Sequence, residues 1–183
     1  MLNQIGPLTS SQEAQSEDAV DLLVGCHQRI RHFTGVATKL AHAQGVSPEE
    51  IRRAAEGVFR YYSVALPLHE ADEEETLRPR LRELADDRVS HALSAMSDQH
   101  QAIDELLERL LPLLQLVNNN PDKLADVGGE MCSITKALEE VFQGHLQMEE
   151  EIIFPSIPRL LPESARSAML HEMQQRRKQG SGQ

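Results

Sequence analysis

Two of the eight histidines in this chain head nearly matching phrases. HEADEEETLRPRL, from His69 to Leu81, lies over HLQMEEEIIFPSI, from His145 to Ile157. The overlay pairs His69 with His145, Glu73, Glu74 and Glu75 with Glu149, Glu150 and Glu151, and Pro79 with Pro155. The offset from residue 69 to residue 145 is 76 residues, the period of a duplicated helical hairpin. A histidine with a carboxylate four residues on places both groups on one helix face. That pair is ligand chemistry rather than packing chemistry, because a buried carboxylate is costly unless it is paired or bound to a cation. Glu73 and Glu149 are therefore the candidate ligands. Glu75 and Glu151 read as solvated, and Glu74 and Glu150 are intermediate, able to replace the +4 carboxylates if the helix is overwound.

Two more histidines join them. His27 follows Leu23 and Val24 and precedes Ile30 at helical spacing, so it sits in an apolar stripe. His100 does the same with Leu93, Met96 and Ile103, His145 with Leu138, Val141 and Met148, and His69 with Tyr62 and Leu66. One histidine on an apolar face is most simply a core residue with a satisfied hydrogen bond. Four of them, one per helical segment, would need four separate sets of partners unless they share a purpose. Four imidazoles and two carboxylates are too many for one zinc ion and suit two metals, each taking two imidazoles and an oxygen from each of two bridging glutamates. Fe, Mn and Zn all accept such donors, and an octahedral ion would keep about two positions for oxide, water or a small ligand. With only two anionic ligands, a di-ferrous pair stays cationic and attracts peroxide, hydroxide or similar anions. His32, His42, His91 and His171 lie off these stripes or near helix ends and read as ordinary surface residues.

The elements that must carry these groups are helices. A first helical pattern runs from about Ser16 to His42 and stops at Gly45. Ser47-Pro48-Glu49-Glu50 is a start signal with a capping box, and a second helix runs past Glu75, with a bend expected at Pro67 and an end or kink at Pro79. A third spans about Asp87 to Val117 with Pro112 inside it, Asn118-Asn119-Asn120-Pro121 breaks the chain, and a fourth spans about Asp122 to Ile153. A short fifth helix follows from about Glu163 to Lys178. The fold class expected is all-α, an antiparallel up-down-up-down four-helix bundle with a short extra C-terminal helix, over residues 16–178. Residues 1–15 are polar and read as disordered, and 179–183 as a loose tail.

Composition agrees. Aromatics make up only 3% of the chain and tryptophan is absent, while 40% of the residues are hydrophobic, enough for a helical core without staples. The formal charge of −11 argues against a nucleic-acid partner, and the cations Arg176, Arg177 and Lys178 fall at a helix end, where they offset the dipole. Cys26 and Cys132 form no zinc spacing and read as small buried side chains in a reducing compartment. The N-terminal stretch has neither the basic start nor the apolar run of a signal peptide, and no run is long enough to span a bilayer. The expected location is cytoplasmic, with no membrane partner, and a leftover apolar helix face would suit a homodimer.

His27, the His69–Glu73 pair, His100 and the His145–Glu149 pair, with the proline phrases TLRPRL and IIFPSI downstream, together resemble the hemerythrin-like (HHE cation-binding) domain family over about residues 20–160. A ferritin-type bundle would instead place Glu-x-x-His, which is absent here. The resemblance implies two non-haem Fe ions with carboxylate and oxo or hydroxo bridges, His27 and His69 serving one, His100 and His145 the other, and Glu73 and Glu149 bridging. Zn or Mn remain alternative occupants. It also implies a small ligand at the centre: dioxygen, nitric oxide or peroxide. Oxygen-carrying hemerythrins use a fifth histidine one turn from the third-helix ligand, and here those positions hold Met96 and Asp104. Reversible oxygen carriage thus becomes less expected than an open, reactive or sensory site, similar to hemerythrin-like proteins linked to nitric oxide and oxidative stress. Iron–sulfur repair proteins of that group are similar in the bundle only, since their short N-terminal cysteine module is missing. Asp104 could ligate or orient His100, and Tyr62 could reach the pocket or simply fill the core. The rival functions are a di-iron enzyme (peroxidase, oxidase or nitric oxide reductase) and a metal-sensing regulatory module.

Overall fold

Three of the long helices start where the sequence supplies a cap. The computed structural model describes residues 18–180. The disordered N-terminus expected over residues 1–15, and residues 181–183 of the expected tail, lie outside the described residues. Helix α1 (Ala19–Ala41) opens on Asp18, whose carboxylate accepts from the Val20 amide. Helix α2 (Pro48–Arg60) opens on the Ser47/Glu50 capping box with Pro48 in the first turn. Helix α5 (Asp87–Asn119) is capped by Asp86, and α6 (Leu124–Met148) follows a 3₁₀ turn over Pro121–Lys123. Gly45, with φ of 65°, takes the left-handed conformation that turns the chain between α1 and α2. No strand occurs among the described residues.

The second helix differs from the single bent helix expected. It consists of α2, α3 (Leu66–Ala71) and α4 (Arg78–Arg82), joined by π turns over Tyr61–Ala65 and Asp72–Leu77. The fourth likewise passes through a π turn, Glu149–Ile153, into α7 (Phe154–Leu160). Pro79 and Pro155 thus do not end their helices. A proline inside a helix clashes with the carbonyl four residues back and offers no N–H. In all three places the residue before the proline donates five residues back instead of four: Leu66 to Tyr61, Arg78 to Glu73 and Phe154 to Glu149. The wider turn absorbs the clash and keeps the axis running.

Helix α1 packs on α2 and α6, and α5 packs on the same two, so four helical rods close a ring. Helix α8 (Glu163–Gly180) lies across α1, α3 and the Asp72–Leu77 turn. The interior falls into two apolar clusters. One holds Ile30, Tyr62, Leu66, Ile103, Leu138 and Leu146 with their neighbours. The other holds Leu23, Leu77, Met96, Ile153, Phe154 and Met173 with theirs. His27 lies between Leu23 and Ile30, and His100 between Met96 and Ile103, so the histidines mark the boundary where one cluster gives way to the other.

Candidate metal centre

That boundary is a layer of buried polar groups. Helix α1 supplies His27, α3 supplies His69, α5 supplies His100, and α6 supplies His145; the second residue of the Asp72–Leu77 π turn adds Glu73 and the first of the Glu149–Ile153 π turn adds Glu149. All six are at most 6% exposed. Their ligand atoms form two overlapping groups, His27, His69, Glu73 and Glu149 in one and Glu73, His100, His145 and Glu149 in the other, with atoms in each group within 4.8 Å of one another. The two carboxylates are common to both. The His27 and His69 rings meet edge to face at 5.3 Å, and the His100 and His145 rings at 4.9 Å.

Every imidazole turns Nε2 toward a carboxylate. His27 Nε2 is 3.0 Å from Glu149 Oε2, His69 Nε2 3.1 Å from Glu73 Oε1, His100 Nε2 3.2 Å from Glu73 Oε2, and His145 Nε2 3.4 Å from Glu149 Oε2. Most of these approaches lack hydrogen-bond alignment: His27 Nε2, His69 Nε2, Glu73 Oε1 and both Glu149 oxygens are buried without a partner among the described residues. Buried polar atoms left unpaired are costly. Nitrogen and oxygen lone pairs converging in this way fit a cation placed among them.

The opposite ring nitrogens explain the tautomer. His27 Nδ1 donates to Glu150 Oε1 at 2.8 Å, His100 Nδ1 to Glu74 Oε1 at 3.0 Å, and His145 Nδ1 to Gln99 Oε1 at 3.2 Å. A proton fixed on Nδ1 leaves the Nε2 lone pair facing inward, as a metal ligand requires. Glu74 and Glu150 are thus not substitutes for the +4 carboxylates but outer partners of histidines. In a π turn successive side chains diverge less than in an α turn, so residue +4 can face the centre while residue +5 reaches a neighbouring helix. The matched triplets carried that signal in the sequence; Gln99 had none beyond preceding His100.

Electrostatics follow burial. Burial, then the neighbouring imidazoles, holds His69 well below its ordinary pKa and lowers His145 to about 3. Burial, then nearby carboxylates, raises Glu73 well above the usual range and Glu149 to about 8. Burial would also raise Glu74, but hydrogen bonds from Ser97 and His100 and the charge of Arg78 outweigh it and the net shift is downward. Glu150 is likewise lowered, burial being outweighed by His27 and Arg31. His69 and His145 are thus held neutral, ready to ligate, beside inner carboxyls that a cation would ionise.

Other residues named from the sequence lie elsewhere. Asp104 is exposed, and Glu74 occupies the His100 nitrogen that Asp104 could have oriented. Tyr62 fills the core, its hydroxyl 3.1 Å from Thr34 Oγ1. His32, His42, His91 and His171 are exposed. Cys26 is buried, with Sγ accepting from Arg29 and Arg177, and Cys132 is half-buried, 3.2 Å from His42 Nε2. The arginines of α8 do more than offset a dipole. Arg176 and Arg177 both pair with Asp72, which is fully buried beside Glu73, and Arg176 also reaches Glu75 and Thr76.

No helix among the described residues is long and apolar enough to cross a membrane. Comparison with known families matches residues 18–157 to the model described as Hemerythrin HHE cation binding domain. No curated protein and no solved structure matches the chain.

Proposed function

The chain belongs to the hemerythrin HHE cation-binding domain family, and from that premise we propose that its buried layer holds two iron ions at which dioxygen, nitric oxide or peroxide is bound, sensed or scavenged. The observation that carries this reading is the set of inward, unpartnered nitrogen and oxygen atoms in two groups that share Glu73 and Glu149. His27 and His69 would hold one ion, His100 and His145 the other, and the two carboxylates would bridge them. Iron would supply the redox change and the free coordination positions for a small ligand. The chain's own work is to keep His69 and His145 neutral by burial, to fix the tautomers of His27, His100 and His145 through Glu150, Glu74 and Gln99, and to shut bulk water out between two apolar clusters. The rods are read as antiparallel, up-down-up-down, on the strength of the short connections between α1 and α2, α4 and α5, and α5 and α6.

Elemental analysis of protein purified without added metal tests the reading, followed by spectra with dioxygen, peroxide and nitric oxide. Two irons per chain, a charge-transfer absorption that changes with one of these ligands, and loss of metal in His69→Ala are expected. A folded protein that takes up no cation would sink the proposal. Two zinc ions would keep the centre and remove the redox role, and two manganese ions would keep the centre and replace iron in it. Sustained turnover of peroxide or nitric oxide would make the protein an enzyme rather than a binder.

A further inference from the structure

The outer hydrogen bonds of the four histidines are unequal, and the inequality follows the division into two groups. In the His100/His145 group both Nδ1 atoms have a partner: Glu74 at 3.0 Å and Gln99 at 3.2 Å. Glu74 is itself held, by Ser97 Oγ at 2.6 Å and Arg78 Nη1 at 2.9 Å. In the His27/His69 group only His27 is tied, through Glu150 at 2.8 Å. His69 Nδ1 is buried and without a hydrogen-bond partner among the described residues. Glu150 is one-third exposed and is held by Arg31, which is half exposed. It also lines two surface grooves, one with Asp21, Val24 and Phe154 and one with Thr34 and Gln147.

The ties cross between the repeats. Glu74 comes from the first repeat and orients His100 of the second, while Glu150 comes from the second and orients His27 of the first. A hydrogen bond to the outer nitrogen of a ligating histidine fixes its ring and raises its basicity, and losing it typically costs about 10- to 100-fold in metal affinity. Resting on the two-cation reading above, we propose that the centre is functionally split: the His100/His145 half retains its cation tightly, and the His27/His69 half, next to the Glu150 grooves, holds an exchangeable one. Glu74, Gln99 and Glu150 are the positioning residues that create the split.

The test titrates the metal-free full chain with Co²⁺ against a competing chelator, read by visible absorption and by cations retained per chain. Two steps about tenfold or more apart are expected. Gln99→Ala and Glu74→Ala should weaken the tight step about 10- to 100-fold and draw the two steps together. Glu74→Gln, whose amide oxygen still accepts from Nδ1, should keep most of the tight affinity. Glu150→Ala should weaken only the looser step. Far-ultraviolet circular dichroism checks that each variant remains helical. Two steps of equal affinity in the parent chain, or weakening of the tight step alone by Glu150→Ala, would overturn the split while leaving the two-cation centre standing. Failure of the parent chain to take two cations at any concentration would instead remove the centre itself.

Discussion

On either side of the His/Glu layer the interior is aliphatic and aromatic; within the layer six polar side chains are buried just as deeply. The same exclusion of water has opposite consequences in the two regions. It stabilises a buried Leu or Ile by about 1.5–3 kcal/mol and needs no occupant. In the layer it leaves donor atoms unpaired and forces protons onto Glu73 and Glu149. The apolar clusters therefore decide whether the chain folds, and the layer decides how that fold responds to cation and pH.

The largest expected effect separates the regions directly. A cation that binds only the folded state stabilises it by about 4 kcal/mol at a thousandfold excess over its dissociation constant, for each site. Stripping metal with a chelator should lower Tm by roughly 10 °C or more while leaving the helical signal at room temperature. Equal melting with and without chelator would mean that the layer is as self-sufficient as the clusters. Next in size, Leu138→Ala in the larger cluster should cost about 2–5 kcal/mol in denaturant unfolding. The cost should be the same with and without metal. A cost that vanished in the loaded protein would tie this cluster to the cation.

A smaller effect should appear as pH. In the metal-free fold Glu149 keeps its proton up to about 8 and Glu73 is also raised, whereas an unfolded glutamate releases it near 4.5. Their contribution is present below that unfolded value and is lost as pH rises. His145, lowered to about 3, and His69 act in the other sense: their contribution is present above 6.5 and is lost as pH falls. Between 4.5 and 6.5 the two pairs oppose each other. From 6.5 to 8 only the carboxyls remain, so metal-free stability should fall as pH rises, by about 1.4 kcal/mol per pH unit for each proton involved. Loaded protein, with those carboxylates already ionised, should lack the fall. Thermal melts at pH 6.5, 7.25 and 8 with and without metal measure both slopes, and a rise in the metal-free series would contradict the assignment.

The two regions were not equally legible in the sequence. Apolar neighbours three and four residues away reveal which face of a helix is buried, so His27, His69, His100 and His145 could be placed inside from spacing alone. The capping box at Ser47 and Glu50 likewise located a helix start. The π turns were hidden because proline alone does not dictate them. Pro112 sits inside α5, exposed, and the helix stays α throughout, whereas Pro67, Pro79 and Pro155 each follow a π turn. The difference depends on packing that one sequence does not display. The outer ties were hidden for a related reason: Glu74 and His100 are 26 residues apart and Glu150 and His27 are 123 apart, and such pairs meet only through the bundle. The clamp of Arg176 and Arg177 on Asp72 joins residues about a hundred positions apart in the same way.

Tyr62 gives the finest probe, because it stands where cluster and layer meet. Its ring belongs to the larger apolar cluster and its position, seven residues before His69, points to the layer. The hydroxyl settles on Thr34 Oγ1, and both partners are buried. Tyr62→Phe should therefore behave as a cluster substitution with one lost hydrogen bond, costing about 1 kcal/mol. The Thr34 hydroxyl is left buried without this partner, so Thr34→Val in the same background should recover part of that loss. Cations per chain and their absorption should not move, since the hydroxyl is spent on α1 rather than on a ligand. If Tyr62→Phe instead shifted the metal spectrum or the affinity for nitric oxide, the border between the two regions would have to be redrawn to include the phenol.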